Sequence, residues 1–159
     1  MTRLAESPRR LFSALALAEA VTWTLLIAGM LQKYVVDAGE WGVRLGGGLH
    51  GFVFLAFGAV TLLVAVNQRW SPTITVLTLV ASVIPWATVP TERALERRGR
   101  LDGPWRHDAH RTGDRRAPDR VLALVLSRPV LSAVVTGAGV TVVFGVLLAI
   151  GPPGGPRGG

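Results

Sequence analysis

The sequence predicts an all-α fold, a polytopic bundle of four transmembrane helices. Half of the 159 residues are hydrophobic and only 17% are charged, whereas about a quarter of the residues are charged in a typical soluble domain. The charges lie between long apolar segments, and each segment approaches the roughly 20 residues that cross about 30 Å of hydrocarbon. These observations predict helices over residues 11–31, 45–66, 72–89 and 129–150.

The first segment follows a short basic tail, residues 1–10, and carries a single charged residue, Glu19. A cleaved signal peptide has an apolar region of only about 7–15 residues. This segment continues to Met30, so we expect a retained helix.

The second and third segments are joined by a short polar turn that ends in Ser71-Pro72, which predicts an antiparallel hairpin. Pro85 and Pro90 predict a kink or an early stop in the third segment. Residues 11–98 therefore form a predicted three-helix core.

The remaining chain is an Arg-rich polar loop over residues 99–128, which we expect to be disordered, the fourth helix over 129–150, and a flexible Gly/Pro tail over 151–159. With four spans and the polar segment 91–128, which includes this loop, in the cytoplasm, twelve of the 17 lysine and arginine residues are cytoplasmic. The positive-inside rule therefore favours both termini outside. A re-entrant third segment is the alternative, and it would place the N-terminus and the Arg-rich loop on one side.

Small residues recur at four-residue spacing in the apolar segments, which in lipid favours close helix packing. The candidate packing residues are Gly47, Gly51, Gly137 and Gly145. Packing within one bundle and contact between copies of the chain are both compatible with this pattern.

Glu19 is the strongest functional candidate, because a charged residue at mid-membrane costs roughly 2.5–3.5 kcal/mol even on permissive scales. Two interpretations remain open: a protonated carboxyl group that links neighbouring helices, and a site for a proton, an ion or a ligand. Thr22 shares its helix face, and the hydroxyls expected at similar depth on other helices belong to Thr78, Ser82 and Thr141.

His50 is the second intramembrane candidate, in a glycine-rich stretch at the start of the second helix. It is either a structural interface residue or a functional one. Counting residues inward from Leu31 and Leu45 leaves Glu19 and His50 roughly 10 Å apart along the membrane normal. The sequence therefore predicts no Glu19–His50 dyad.

Enzymatic and nucleic-acid-binding functions are not indicated. The chain has no cysteine, and His107 and His110 lie in an Arg-rich loop without the support that a metal site needs. Phosphate-loop, nucleophile-elbow and HExxH motifs are missing from the sequence. We predict no catalytic residue, metal or cofactor. The net charge of +7 indicates contact with the lipid bilayer and with anionic head groups at the Arg-rich loop, rather than with nucleic acid.

Several short stretches together resemble one known group of proteins. These are Ala18 to Trp23, Lys33-Tyr34, Leu49 to Leu55, Asn67 to Ser71 and Ala81 to Arg93. They resemble small bacterial integral membrane proteins with a His-Gly dipeptide, a YdzA-like domain of unknown function common in actinobacteria. The resemblance implies a plasma-membrane location and points to Glu19, Lys33 and His50, but it implies no activity; Tyr34, next to Lys33, is a further supporting candidate.

The sequence predicts a multi-pass membrane protein that acts as a non-enzymatic accessory protein, packing with itself or with another membrane component. The alternative is a small oligomeric proton-linked carrier in which Glu19 is the titrating group.

Overall fold

The computed structural model describes residues 7–106 and 125–150, which contain helices and no strand. The helices are α1 Pro8–Tyr34, α2 Trp41–Asn67, α3 Pro72–Ala81, α4 Thr88–Arg97 and α5 Pro129–Ile150. The predicted all-α fold class is confirmed. Two of these helices, α1 and α2, are long and apolar enough to cross a membrane.

Helices α1 and α2 form a tight antiparallel pair at the centre of the molecule. Each has 27 residues, or about 40 Å at 1.5 Å per residue. The Ser7 side chain caps α1 by accepting a hydrogen bond from the backbone N–H of Arg10, and Pro8 occupies the first turn. A Cβ at Gly29 would lie 2.4 Å from the carbonyl carbon of Gly42, and one at Gly46 would lie 2.7 Å from the carbonyl oxygen of Leu25. Close backbone contact therefore sets the register of the pair.

Helices α3 and α4 form a second hairpin with a break in place of a loop. Helix α3 ends at Ala81 and α4 begins at Thr88. In the intervening break, which contains Pro85, Trp86 has a φ of 61°, a left-handed conformation that bulky residues rarely adopt. The chain reverses here.

Helix α4 returns along α1 toward its N-terminal end. The Thr88 hydroxyl donates to the Ala16 carbonyl at 2.9 Å. One turn later the Ser13 hydroxyl donates to the Glu92 carboxylate, and at the end of α4 the Arg9 guanidinium pairs with Glu96. The two ends of the α3–α4 hairpin therefore lie on the same face of the molecule.

The third predicted span, residues 72–89, was wrong as a span. Helix α3 has ten residues, about 15 Å, which is half of the hydrocarbon thickness. Pro85 cannot continue the helical hydrogen bonds, and the chain turns back instead of crossing. The re-entrant alternative describes this region, and the count of four spans is not confirmed.

We call the end of the molecule that contains Pro8, at the start of α1, the basal face. A hydrophobic core lies at this face. The Phe12 ring packs on Phe57 and Trp70, with ring centroids 5.3 and 5.9 Å away. Leu101 and Trp105 are buried in the same core. The predicted disorder of residues 99–128 was therefore wrong for residues 99–106, because these two large apolar side chains hold the segment against the core. Residues 107–124 of that loop, together with 1–6 and the predicted tail 151–159, lie outside the described residues.

Helix α5 lies against α2 alone among the described helices. Leu126, just before α5, packs on the core at the basal face, and the Phe144 ring lies 2.8 Å from the position that a Cβ on Gly51 would take. Helix α5 therefore begins at the basal face and runs antiparallel to α2.

Candidate functional site

The candidate site is built around Glu19 in the middle of α1. Its side chain has no solvent exposure. Within the described residues, neither carboxyl oxygen has a hydrogen-bond partner. Most buried polar atoms in proteins are hydrogen-bonded, so an unsatisfied carboxyl group requires an explanation. This environment makes Glu19 the most chemically unusual residue in the described chain.

His50 on α2 is the nearest ionisable group to Glu19. Its Nδ1 lies 3.7 Å from Oε2 of Glu19, so the expectation that the two residues stay apart was wrong. The depth count took Leu31 and Leu45 to be level. In the structure Gly29 lies against Gly42, so Leu31 is near the level of Glu40. Glu40 is five residues earlier in the chain than Leu45, the residue that the depth count placed level with Leu31. This shift of about 7.5 Å brings the imidazole to the carboxyl group.

Thr22 connects the two groups and constrains the protonation of His50. The Thr22 hydroxyl donates to the backbone carbonyl of Glu19 at 3.0 Å and lies 3.4 Å from Nδ1 of His50. A hydroxyl has one proton to donate. When that proton is on the Glu19 carbonyl, Thr22 can only accept from His50, which assigns the proton to Nδ1. That N–H then faces both Thr22 and the Glu19 carboxyl group.

Trp23 closes the site and links it to the helix break. Its ring centroid lies 4.3 Å from that of His50, and its indole N–H donates to the Ser82 carbonyl at 3.1 Å. The Trp86 indole N–H donates to the Thr24 hydroxyl at 3.0 Å. The tip of the re-entrant hairpin is therefore anchored on α1 one turn beyond Glu19. Sequence reasoning missed this role of Trp23, although a buried indole N–H needs an acceptor.

The hydroxyl groups expected to bond Glu19 bond their own helices instead. The Thr78, Ser82 and Thr141 hydroxyls donate to the carbonyls of Ile74, Leu79 and Gly137 at 2.8, 2.7 and 2.8 Å. Such bonds to the preceding turn are a common alternative for hydroxyl side chains. These three hydroxyls therefore donate to backbone carbonyls and not to the Glu19 carboxyl group, whose neighbour is His50.

Lys33 and Tyr34 lie at the opposite end of α1, in a separate cluster. The Lys33 ammonium lies 2.8 Å from the Glu40 carboxylate and 5.2 Å from the Tyr34 ring centroid. The hydrogen bond from Lys33, and then its charge, hold the pKa of Glu40 below its usual value. Fourteen residues, or about 21 Å, separate Lys33 from Glu19, so this cluster stabilises the α1–α2 loop and does not contact the site.

The predicted packing glycines differ in what surrounds them. A Cβ on Gly51 would meet the Phe144 ring at 2.8 Å, whereas one on Gly47 would make an ordinary contact at 3.7 Å with Leu26. Gly137 and Gly145 have no described atom within 4 Å of such a Cβ. The closest backbone contacts belong to Gly29, Gly42 and Gly46, which sequence reasoning did not select. In the run Gly46-Gly47-Gly48, the sequence does not indicate which glycine faces α1.

The described residues contain no group of three or more His, Asp or Glu side chains that could hold a metal ion. His107 and His110 lie outside the described residues. What the site can do is hold a proton: its two titratable groups are within reach of each other, in an apolar surrounding.

Comparison with known proteins identifies the part of the chain that contains this site. The model of a family described as a domain of unknown function matches residues 9–97, from the start of α1 to the end of α4. The chain is 41% identical over 96 residues to a protein of Streptomyces coelicolor that is called a membrane protein. The match covers 60% of this chain but only 11% of that relative. No solved structure matches the chain significantly. Since the family model covers more than half of the residues, the chain belongs to the family of the domain of unknown function DUF3817.

Proposed function

We propose that the chain is a multi-pass protein of the plasma membrane that acts as a non-enzymatic accessory module, docking through α5 on another copy or on another membrane protein. The observation that carries this proposal is the uncovered face of α5. Gly137, Thr141 and Gly145 recur on one side of the helix, and no described atom lies within 4 Å of a Cβ built on either glycine. In lipid, a face of this kind lets two helices approach closely.

The relation to the longer relative supports the same proposal. A stretch similar to 96 residues of this chain makes up 11% of a protein called a membrane protein. A unit that recurs inside a larger membrane protein is expected to contribute contacts to an assembly. That expectation fits an accessory role better than an independent activity.

We infer that the N-terminus lies in the cytoplasm. The start of α1, the α2–α3 turn, the end of α4 with residues 99–106, and Leu126 all lie at the basal face. Fourteen of the 17 lysine and arginine residues belong to the corresponding sequence segments, 1–10, 68–71 and 91–128, and only Lys33, Arg44 and Arg157 lie elsewhere. The positive-inside rule favours a cytoplasmic basal face, and a hairpin that does not cross the bilayer places the N-terminus and the Arg-rich loop on this one side.

Photo-crosslinking in native membranes tests the accessory role. A photoreactive residue replaces Thr141 on the uncovered face or, as the control, Leu17, a position on α1 that is also exposed. We expect a discrete cross-linked product from position 141 and none from position 17. Two differently tagged copies then distinguish self-association from another partner. Equal cross-linking from both positions, or none from 141, would contradict the proposal.

A second candidate function is proton-linked transport by an oligomer, with Glu19 as the titrating group. The unsatisfied carboxyl oxygens next to His50 favour it, since ionisable residues within membranes commonly mark proton pathways. When the imidazole is protonated at both nitrogens, the proton on Nδ1 of His50 can pass to Oε2 of ionised Glu19, which leaves a neutral imidazole and a neutral carboxyl group. In liposomes with an imposed pH gradient, Glu19→Gln, which cannot ionise, should abolish a flux that the wild type catalyses. If Glu19→Gln matches the wild type while Glu19→Leu disrupts assembly, the site is structural.

A further inference from the structure

The arms of the re-entrant hairpin enclose an apolar groove near the basal face. Its volume is about 200 Å³. Helix α3 supplies one wall and α4 the other; the lining side chains are Ile74, Leu77, Thr78, Thr91, Ala94 and Leu95. Leu77 is 63% exposed. The Thr78 hydroxyl already donates to a carbonyl of its own helix, so the groove wall that α3 forms is effectively apolar.

Two arginines complete the lining of this groove. Arg98 and Arg100 follow the last turn of α4, and both are exposed. Neither forms an ion pair with another residue of 7–106 or 125–150. Two guanidinium groups without a carboxylate partner form a strong site for an anionic oxygen group such as a phosphate.

We propose that this groove binds one anionic phospholipid, with its phosphate on Arg98 and Arg100 and an acyl chain between α3 and α4. The two requirements of such a lipid, an apolar slot and a cationic mouth, are met at adjacent positions on one hairpin. The groove opens at the basal face, where the charge distribution indicates the cytoplasmic leaflet, which carries anionic lipids. The proposal rests on the membrane location and the cytoplasmic basal face inferred above, and it is independent of the docking proposed for α5.

The groove also explains how the hairpin keeps its arms apart. Helices α3 and α4 make few contacts with each other, and α4 packs mainly on α1. A lipid chain that fills the groove replaces the missing contacts between the arms.

The test measures lipid retention by the full chain purified in detergent. Native mass spectrometry compares phosphatidylglycerol with phosphatidylcholine of identical acyl chains at equal concentration. We expect one phosphatidylglycerol per chain to be retained selectively, and R98Q/R100Q to weaken its binding about tenfold or more. The matched control is R93Q/R97Q, which removes the same charge from α4 but leaves the groove intact; it should change binding less than twofold.

A second variant tests the apolar part of the site. Ala94→Phe narrows the groove and keeps both arginines, so phosphatidylglycerol binding should fall. Soluble glycerol 3-phosphate carries a phosphate but no acyl chain, so it should compete poorly with phosphatidylglycerol for the site. Equal loss in R98Q/R100Q and R93Q/R97Q would overturn the proposal in favour of diffuse surface charge. Equal binding of the two lipids, an unaffected R98Q/R100Q, or effective competition by glycerol 3-phosphate would also overturn it.

Discussion

Nδ1 of His50 lies 3.7 Å from Oε2 of Glu19 in the interior of the α1–α2 pair. Two titratable groups on two different helices are thus neighbours at a depth where lipid alone would solvate neither. Their juxtaposition follows from the glycine contacts that fix the register. It ties the chemistry of the site to the packing of the two helices.

The first prediction concerns the coupling between these two side chains. In a double-mutant cycle of Glu19→Gln and His50→Asn, we expect a coupling free energy of about 0.5–2 kcal/mol, the range for polar pairs between membrane helices. Unfolding in bicelles measures the four free energies. Effects that simply add would show that the two groups do not interact.

The second prediction concerns helix register and uses two glycines two positions apart. Gly46→Ala places a methyl group 2.7 Å from the Leu25 carbonyl oxygen, so the helices must separate, at a cost of about 1–3 kcal/mol in the free energy of unfolding. Gly48→Ala meets no described atom within 4 Å and should be neutral or slightly stabilising, since alanine favours the helix. Thermal unfolding in detergent compares them. Equal destabilisation would contradict the observed register.

The third prediction is a pH dependence at the α1–α2 loop. Since the Lys33 hydrogen bond lowers the pKa of Glu40 in the folded chain, protonation of Glu40 favours the unfolded state. The stabilising effect is complete above the unfolded pKa of about 4.3 and is lost as pH falls through the lower folded value. The stability difference between wild type and Glu40→Gln should therefore be present at neutral pH and disappear in acid. A difference that persists at pH 2 would contradict the assignment, and high salt should reduce it at neutral pH.

Much of this architecture could be predicted from the sequence. Long apolar segments with almost no charged residues predict the all-α class and the long helices. The lone carboxyl group in the first of these segments identifies Glu19. Register could not be predicted, because successive positions on a helix differ by about 100° and Gly46, Gly47 and Gly48 therefore face different neighbours. The proximity of His50 to Glu19 depends on that register.

The burial of residues 99–106, at the start of the Arg-rich loop, could not be predicted from the sequence for a different reason. Leu101 and Trp105 are isolated apolar residues among charges, and local composition predicts a solvated segment. Burial in the core at the basal face is a tertiary effect that composition does not reveal. Pro85, in contrast, did predict a break in the third segment, and the chain turns back there, as the re-entrant alternative has it.

The fourth prediction concerns the re-entrant hairpin and uses the lack of native cysteine in the chain. Single cysteines at Arg10 and Asp102 should react with a membrane-impermeant maleimide from the same side of oriented vesicles, and a cysteine at Ala38 from the other side. The physical reason is that α4 returns along α1, through the Thr88 and Glu96 contacts, so that the start of α1 and the end of α4 share one face. A third segment that crossed the bilayer would place Arg10 and Asp102 on opposite sides, and labelling in that pattern would contradict the hairpin.

The variant Glu96→Gln tests whether the ion pair with Arg9 is needed for the hairpin. Because Thr88 and Ser13 still contact their partners, the same-side labelling of Arg10 and Asp102 should survive the loss of this ion pair.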